Sequence, residues 1–118
     1  MKYIELKTKD NILIIYINRV EKLNALSSIV IKELDDVFSS YINDNTINSI
    51  VITGSGDKSF VAGADIAEME KFTPLEAAEY SNKGINLFNR IETYPKPVIA
   101  AINGYALGGL AVGESQSE

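Results

Sequence analysis

Two segments of small residues are the part of this sequence best suited to chemistry on a carbonyl group. They read KSFVAGADI at residues 58–66 and NGYALGG at residues 103–109. Small side chains let a ligand approach the main chain, and each segment leads into a predicted helix start, where unpaired N–H groups favour negative charge. Two such amides converging on one oxygen would form an oxyanion hole. Taken singly, each segment is more typical of an ordinary glycine turn.

The composition narrows the chemistry further, because the 118 residues include no histidine and no cysteine. This excludes a Ser-His-Asp triad, a thiolate nucleophile, a disulfide framework and the usual zinc ligands. Any catalysis must therefore use carboxylates, lysines, hydroxyls or backbone groups.

Charge and hydropathy exclude two classes of partner. The net charge is −5 and the 11 basic residues are scattered, whereas binding to a phosphate backbone needs clustered lysines and arginines. No apolar run approaches the roughly 20 residues of a membrane span, and the N-terminus has no apolar stretch typical of a signal peptide. We therefore expect no nucleic-acid partner, no membrane partner and a cytoplasmic location.

The first half of the chain predicts a hairpin followed by a helix. Residues 4–7 and 12–17 are rich in β-branched and aromatic side chains, and the polar residues 9–11 between them favour a turn. Ser27 can cap the helix. The apolar positions of that helix recur at intervals of three and four residues: Val30, Leu34, Val37, Phe38, Tyr41 and Ile42.

The second half predicts two buried strands separated by helices. Residues 49–53 and 98–102 are the strands, and Thr73-Pro74-Leu75-Glu76 is a capping box that starts a helix ending before Pro95. One face of that helix carries Ala77, Tyr80, Gly84, Ile85, Phe88 and Ile91. Strands joined by helical crossovers pair in parallel and define an α/β fold, whose ligands gather beyond the carboxyl ends of the strands.

Three motifs in fixed order give the sequence a family resemblance. They are NRVEKLNAL at residues 18–26, SFVAGADI at 59–66 and KPVIAAINGYALGG at 96–109. Together they resemble the crotonase (enoyl-CoA hydratase/isomerase) superfamily, and within it the bacterial short-chain enoyl-CoA hydratases, also called 3-hydroxybutyryl-CoA dehydratases. The resemblance runs from about residue 4 to residue 109. It implies a crotonase-like ββα spiral of the ClpP/crotonase type, with residues 1–109 as the N-terminal part of that domain.

The resemblance also implies roles for particular residues. The backbone amides of Ala64 and Gly109 would hold the oxygen of the acyl-CoA thioester. The residues implied to bind the substrate are Lys22, Ala25, Leu26, Ala62, Asp65, Ile66 and Gly108. Lys22 has the alternative of a solvated loop lysine, and Asp65 has the alternative of a helix N-cap.

The chain departs from the family pattern after Gly109. Val112 occupies the position of the family's first catalytic glutamate, and Leu110 replaces a glycine. The nearby acid Glu114 lies two residues further on, about 200° around a regular helix. The position of the family's second catalytic glutamate lies beyond residue 118. We therefore expect a domain truncated after the second oxyanion-hole motif, with residues 110–118 as a polar tail.

These observations leave three functions open. The first is an enoyl-CoA hydratase that reversibly hydrates short-chain trans-2-enoyl-CoA to 3-hydroxyacyl-CoA, with coenzyme A as part of the substrate and no other cofactor or metal. The second is an inactive fragment that binds acyl-CoA or associates with crotonase-like subunits. The third is another reaction of the family, such as enoyl-CoA isomerisation. The resemblance further implies a homo-oligomer, either a trimer or a hexamer.

Overall fold

A four-stranded mixed sheet, a two-stranded sheet and three helices make up the part of the chain that the structure describes. The structure is a computed structural model and describes residues 1–18, 26–54, 59–61, 65–101 and 105–106. In chain order the elements are β1 (Ile4–Lys9), β2 (Ile12–Ile17), α1 (Ser28–Tyr41), β3 (Ser49–Gly54), β4 (Ser59–Val61), α2 (Ile66–Met69), α3 (Pro74–Glu92), β5 (Val98–Ala101) and β6 (Tyr105–Ala106).

The predicted hairpin is confirmed, with a shorter turn than expected. Strands β1 and β2 are antiparallel, and Lys9 pairs with Ile12. Only Asp10 and Asn11 form the turn, with φ angles of 52° and 66°. Two consecutive residues in the left-handed region are the mark of a type I′ turn, whose twist matches that of the strands. The ladder therefore continues to Lys9, which the sequence analysis had assigned to the turn.

The parallel pairing predicted from the element order is also confirmed. The larger sheet has the order β1-β2-β3-β5, and β3 is parallel to both β2 and β5. One row across the sheet joins Leu13, Ile50 and Val98 in register, and all three side chains are buried. They belong to one hydrophobic core with residues of α1 and α3, so both helices cover the same face of the sheet.

Side chains on the opposite face of the sheet are more exposed to solvent than the sequence pattern predicts. Strand β5 was expected to be buried over residues 98–102, yet Ile99 is 44% exposed and Ala101 is exposed. Strand β3 likewise alternates between buried and half-buried residues. Within the described residues the helices cover only one face, so alternate side chains of each strand stay accessible. Residue 102 lies outside the described residues.

Helix α1 begins at the predicted cap, but its buried face differs from the prediction in two residues: Ile42 lies beyond the helix and is 37% exposed, whereas Ile31, which the pattern does not include, is 4% exposed. The Ser27 side chain accepts a hydrogen bond from the Val30 amide at 3.2 Å, which satisfies one of the free N–H groups at the helix start. A buried carboxylate lies among its core residues: Glu33, 8% exposed, accepts a hydrogen bond from the Lys2 amide and another from the Tyr3 amide at 2.9 Å. Glu33 thereby attaches the chain's N-terminal residues to α1.

Helix α3 buries a different side chain from the one predicted. Ile85 was placed on the buried face but is 56% exposed, whereas Leu87 is only 1% exposed. At about 100° per residue, Leu87 lies within about 20° of Tyr80 around the helix, and Ile85 lies about 140° away. The buried stripe is therefore Tyr80, Leu87 and Ile91.

No helix in the described ranges is long and apolar enough to cross a membrane.

Two side chains after α3 bind carbonyl groups at the end of α1. The Lys96 ammonium donates to the carbonyls of Tyr41, at 2.7 Å, and Asp44, at 2.6 Å. The Tyr94 hydroxyl donates to the Phe38 carbonyl at 2.6 Å, and the two rings meet edge to face with centroids 5.0 Å apart. Burial raises the pKa of Tyr94, and the positive charge of the Arg90 guanidinium offsets part of this rise. These contacts fix the C-terminal end of α1 against the chain that enters β5.

The capping box of α3 is present and predicts a pH dependence. The Thr73 amide donates to the Glu76 carboxylate at 2.9 Å, and the Glu76 amide donates to the Thr73 hydroxyl at 3.2 Å. Two hydrogen bonds to the Glu76 carboxylate hold its pKa below the ordinary value of 4.5: the larger effect comes from the Thr73 amide and the smaller one from the Thr73 hydroxyl. Because folding favours the ionised carboxylate, Glu76 stabilises the folded state above pH 4.5. This contribution is lost as the pH falls through the lowered pKa of the folded state.

We therefore expect Glu76→Gln to unfold at a lower temperature than the wild type at neutral pH. The difference should shrink as the pH falls below 4.5, because the wild-type carboxyl becomes neutral as well. Melting followed by circular dichroism across this pH range measures it. The control is Glu79→Gln, which changes an exposed glutamate of α3 outside the capping box. A difference that stayed constant with pH would contradict the prediction.

Candidate functional site

The small sheet pairs two short strands that lie within the two small-residue segments, residues 58–66 and 103–109. Strands β4 and β6 are parallel, with Ser59 opposite Tyr105 and Val61 opposite Ala106. Between these pairs β4 carries one residue more than β6, which makes a β-bulge. Strand β4 also lies against β3 of the larger sheet. Because the two strands are parallel, both end at the same edge of the small sheet.

The two predicted oxyanion donors have equivalent positions relative to this pair. Ala64 follows Val61 by three residues, and Gly109 follows Ala106 by three residues. Ala64 and Gly109 themselves lie outside the described residues. The same holds for four predicted substrate-binding residues, namely Lys22, Ala25, Ala62 and Gly108, and for the tail at residues 110–118. Their roles stay predictions.

Asp65 is described and is the N-cap of α2. It is 6% exposed, and its carboxylate accepts a hydrogen bond from the Glu68 amide at 3.1 Å. The N-cap alternative from the sequence is therefore confirmed, and the predicted role in substrate binding is untested. Ile66, the first residue of α2, is 63% exposed. An exposed apolar side chain next to a buried cap leaves Ile66 available for contact with a ligand.

The third described member of the predicted site, Leu26, is linked to Asp65 through Tyr80. Leu26 is 5% exposed, and its carbonyl accepts a hydrogen bond from the Tyr80 hydroxyl. The same hydroxyl accepts a hydrogen bond from the Asp65 amide at 3.4 Å. One side chain of α3 therefore contacts two of the residues that the family resemblance assigns to substrate binding.

A carboxylate makes a second connection between the same two stretches of chain. Glu68 of α2 accepts hydrogen bonds from the Ser28 amide at 2.9 Å and the Ser28 hydroxyl at 3.1 Å. Ser28 is the first residue of α1, where free amides and the helix dipole favour a negative charge. Glu68 thus supplies a cap from a distant part of the sequence, and it joins α2 to the start of α1.

Sequence reasoning missed the roles of Tyr80 and Glu68. Tyr80 was placed on the apolar face of α3 only, although a buried tyrosine hydroxyl normally has a hydrogen-bond partner. That rule signals that a partner exists but does not identify it, because Leu26 is 54 residues away in the sequence. Glu68 carries no comparable local signal. Its partner Ser28 is 40 residues away.

The described residues contain no group of three or more acidic side chains close enough together to hold a metal ion. The polar groups of the site within the described residues are backbone amides and one backbone carbonyl, with the hydroxyls of Ser28 and Tyr80 and the carboxylates of Asp65 and Glu68. These hydrogen bonds hold the start of α2 against α1 and α3.

The mixed sheet with helices on one face, and the separate parallel pair within the two small-residue segments, make this an α/β protein, and its fold is that of the crotonases. Solved structures support this class. An enoyl-CoA hydratase from Bacillus anthracis superposes with a TM-score of 0.88 and 28% identity, over 98% of this chain and 43% of that one. The enoyl-CoA hydratase from Thermoplasma volcanium GSS1 superposes with a TM-score of 0.87 and 35% identity, over 98% of this chain and 46% of that one.

The chain belongs to the enoyl-CoA hydratase/isomerase family, whose model matches residues 7–112. The short-chain-enoyl-CoA hydratase of Clostridium acetobutylicum is 44% identical over 104 residues, which are 88% of this chain and 40% of that protein. The crotonyl-CoA hydratase of Syntrophomonas wolfei is 45% identical over 104 residues, with the same coverage. The chain thus spans about 40% of the length of these two relatives. The resemblance found in the sequence is confirmed.

Proposed function

We propose that the protein acts on coenzyme A thioesters as an enoyl-CoA hydratase, adding water reversibly to short-chain trans-2-enoyl-CoA to give 3-hydroxyacyl-CoA. The observation that carries this proposal is the parallel pairing of β4 with β6. Because parallel strands end at the same edge of a sheet, this pairing supports a site to which both Ala64 and Gly109 contribute. The names of the two hydratases that share 44% and 45% identity support the choice of substrate.

The proposed mechanism uses backbone donors at the thioester oxygen. The oxygen of a water molecule bonds to C3 of the enoyl group as that water loses a proton, the C2–C3 π electrons move toward the thioester, and a proton returns to C2, so that H and OH have added across the double bond. Negative charge builds on the thioester oxygen during this addition, and the amides of Ala64 and Gly109 stabilise it. A single preorganised donor of this kind is typically worth about 3 kcal/mol. This chemistry needs no metal and no redox cofactor, and coenzyme A enters as part of the substrate.

A second function is favoured by one feature of the sequence. Val112 stands three residues after Gly109, where the family's first catalytic glutamate is expected, and it cannot activate water. A chain that retains the backbone donors without this carboxylate binds acyl-CoA and does not turn it over. The second candidate is therefore an acyl-CoA-binding chain that associates with other crotonase-like subunits.

One experiment separates the two candidates. The purified chain is mixed with crotonyl-CoA, loss of the conjugated enoyl absorbance is followed, and binding is measured in parallel by calorimetry. Turnover above that of an Ala64→Pro variant supports the hydratase, and heat of binding without turnover supports the second candidate. A folded chain that neither binds nor hydrates crotonyl-CoA would contradict both.

The proposal includes self-association as a trimer or hexamer, by resemblance to the family. The open face of the larger sheet, where Ile99 is 44% exposed, offers apolar surface for such contacts. Light scattering at several protein concentrations tests it. A mass that stays at 12.9 kDa would contradict self-association of this chain.

A further inference from the structure

We propose that Tyr80 is a positioning residue that fixes the distance between Leu26 and Asp65, which belong to the two segments, residues 22–26 and 62–66, in which the family resemblance places substrate-binding residues. The inference rests on the proposed function for the identity of the ligand. The linkage itself rests on contacts among described residues only.

The linkage consists of one hydroxyl group with two partners. A tyrosine hydroxyl has one proton to donate and lone pairs to accept. Tyr80 donates to the carbonyl of Leu26, the last residue of the first segment, and accepts from the amide of Asp65 in the second segment at 3.4 Å. All three residues are at most 9% exposed. Because water has little access, these hydrogen bonds constrain Leu26 and Asp65 more strongly than surface contacts would.

The position of the hydroxyl is set by α3 and not by the segments. Tyr80 lies on the helix stripe that continues through the buried residues Leu87 and Ile91. Its ring also contacts that of Phe72, with centroids 5.4 Å apart and planes tilted by 54°. A side chain held by a packed helix gives both segments a common fixed point, which is how loops that bind one ligand together are kept in register.

The consequence concerns affinity for the ligand. A ligand that contacts both segments binds best when their separation is already correct, because no ordering cost is then paid on binding. Tyr80→Phe removes the hydroxyl and keeps the ring. We expect it to weaken binding of crotonyl-CoA by about tenfold, the size of effect that one hydrogen bond can account for.

Tyr94→Phe is a matched control. Tyr94 also donates its hydroxyl to a backbone carbonyl, that of Phe38 at 2.6 Å. It lies just beyond the C-terminal end of α3, while Tyr80 lies in the N-terminal half of that helix. Both variants lose a tyrosine-to-carbonyl hydrogen bond and keep an aromatic ring. A merely structural role predicts similar losses of stability and the same affinity for both variants.

The experiment combines hydrogen exchange of the free chain with calorimetric titration of crotonyl-CoA. Titrations are made at a temperature where circular dichroism shows the wild type and both variants fully folded. Differences in stability then do not change the measured Kd. In Tyr80→Phe we expect faster amide exchange in residues 22–28 and 62–68 together, and a Kd about tenfold higher. In Tyr94→Phe we expect neither change.

The outcomes distinguish the inference from the proposed function. An unchanged Kd in Tyr80→Phe, or an equal rise in Tyr94→Phe, would overturn the inference while the wild type still binds crotonyl-CoA. A wild-type chain that binds no coenzyme A thioester would contradict the proposed function. In that case joint acceleration of exchange in the two segments still supports the linkage through Tyr80, and unchanged exchange overturns it.

Discussion

Replacing the backbone amide of Ala64 with an ester is expected to slow crotonyl-CoA hydration by about 100-fold to 1000-fold. The exchange substitutes lactic acid for alanine at this position, so the methyl group stays and only the N–H is lost. In the proposed site this N–H donates to the thioester oxygen as negative charge develops on it. The measurement is kcat from the loss of enoyl absorbance, with Kd for crotonyl-CoA measured separately.

Two variants show whether the effect comes from the N–H itself. Ala64→Gly keeps the amide and is expected to retain most of the rate. The same ester exchange at Ala67, an exposed residue of α2, controls for the chemical change in the backbone. If the chain binds crotonyl-CoA without turnover, the thioester carbonyl stretch in the infrared reports the same interaction. A stretch that does not move between the wild type and the ester at Ala64 would exclude this amide as a donor.

Leu87→Ala is expected to lower the free energy of unfolding by about 2–5 kcal/mol. The Leu87 side chain is 1% exposed in the core between the sheet and the helices, so truncation removes buried apolar surface and leaves a cavity. Domains are typically stable by only about 5–15 kcal/mol, and this variant therefore loses a large part of its stability. Denaturant unfolding followed by circular dichroism gives the value.

The matched control for Leu87→Ala is Ile85→Ala, two residues away on the same helix. Ile85 is 56% exposed, and its truncation is expected to cost less than about 1 kcal/mol. The pair tests the structure against the sequence pattern, since the pattern placed Ile85 on the buried face of α3. Equal losses for the two variants would contradict the burial seen in the structure.

Local signals predicted the beginnings of the elements well. Ser27 and the Thr73 capping box start helices where expected, because a cap is formed between residues three positions apart. The hairpin turn is one residue shorter than the prediction, because Lys9 belongs to the strand and the type I′ geometry depends on the twist of both strands. The family motifs identified the same family whose model matches residues 7–112.

The candidate site was predicted less completely, and for a physical reason. The sequence indicated which segments carry small residues and which amides to consider, and it offered the N-cap role of Asp65 as an alternative. It did not predict the pairing of Val61 with Ala106 or the contact of Tyr80 with Leu26. Both contacts join residues more than 40 positions apart, and no local pattern specifies the partner of such a contact.

The sequence by itself determined the family, the order of the hairpin, the helices and strands β3 and β5, the caps, and a chemistry limited to backbone groups, hydroxyls, lysines and carboxylates by the lack of histidine and cysteine. These properties depend on residue types and on spacings within a few positions. Only the tertiary structure decided that β4 and β6 pair, that Leu87 and not Ile85 is buried, and that Tyr80 links Leu26 to Asp65. Those outcomes depend on how the sheets and helices pack, because burial and long-range hydrogen bonds form only between elements already brought together by the fold.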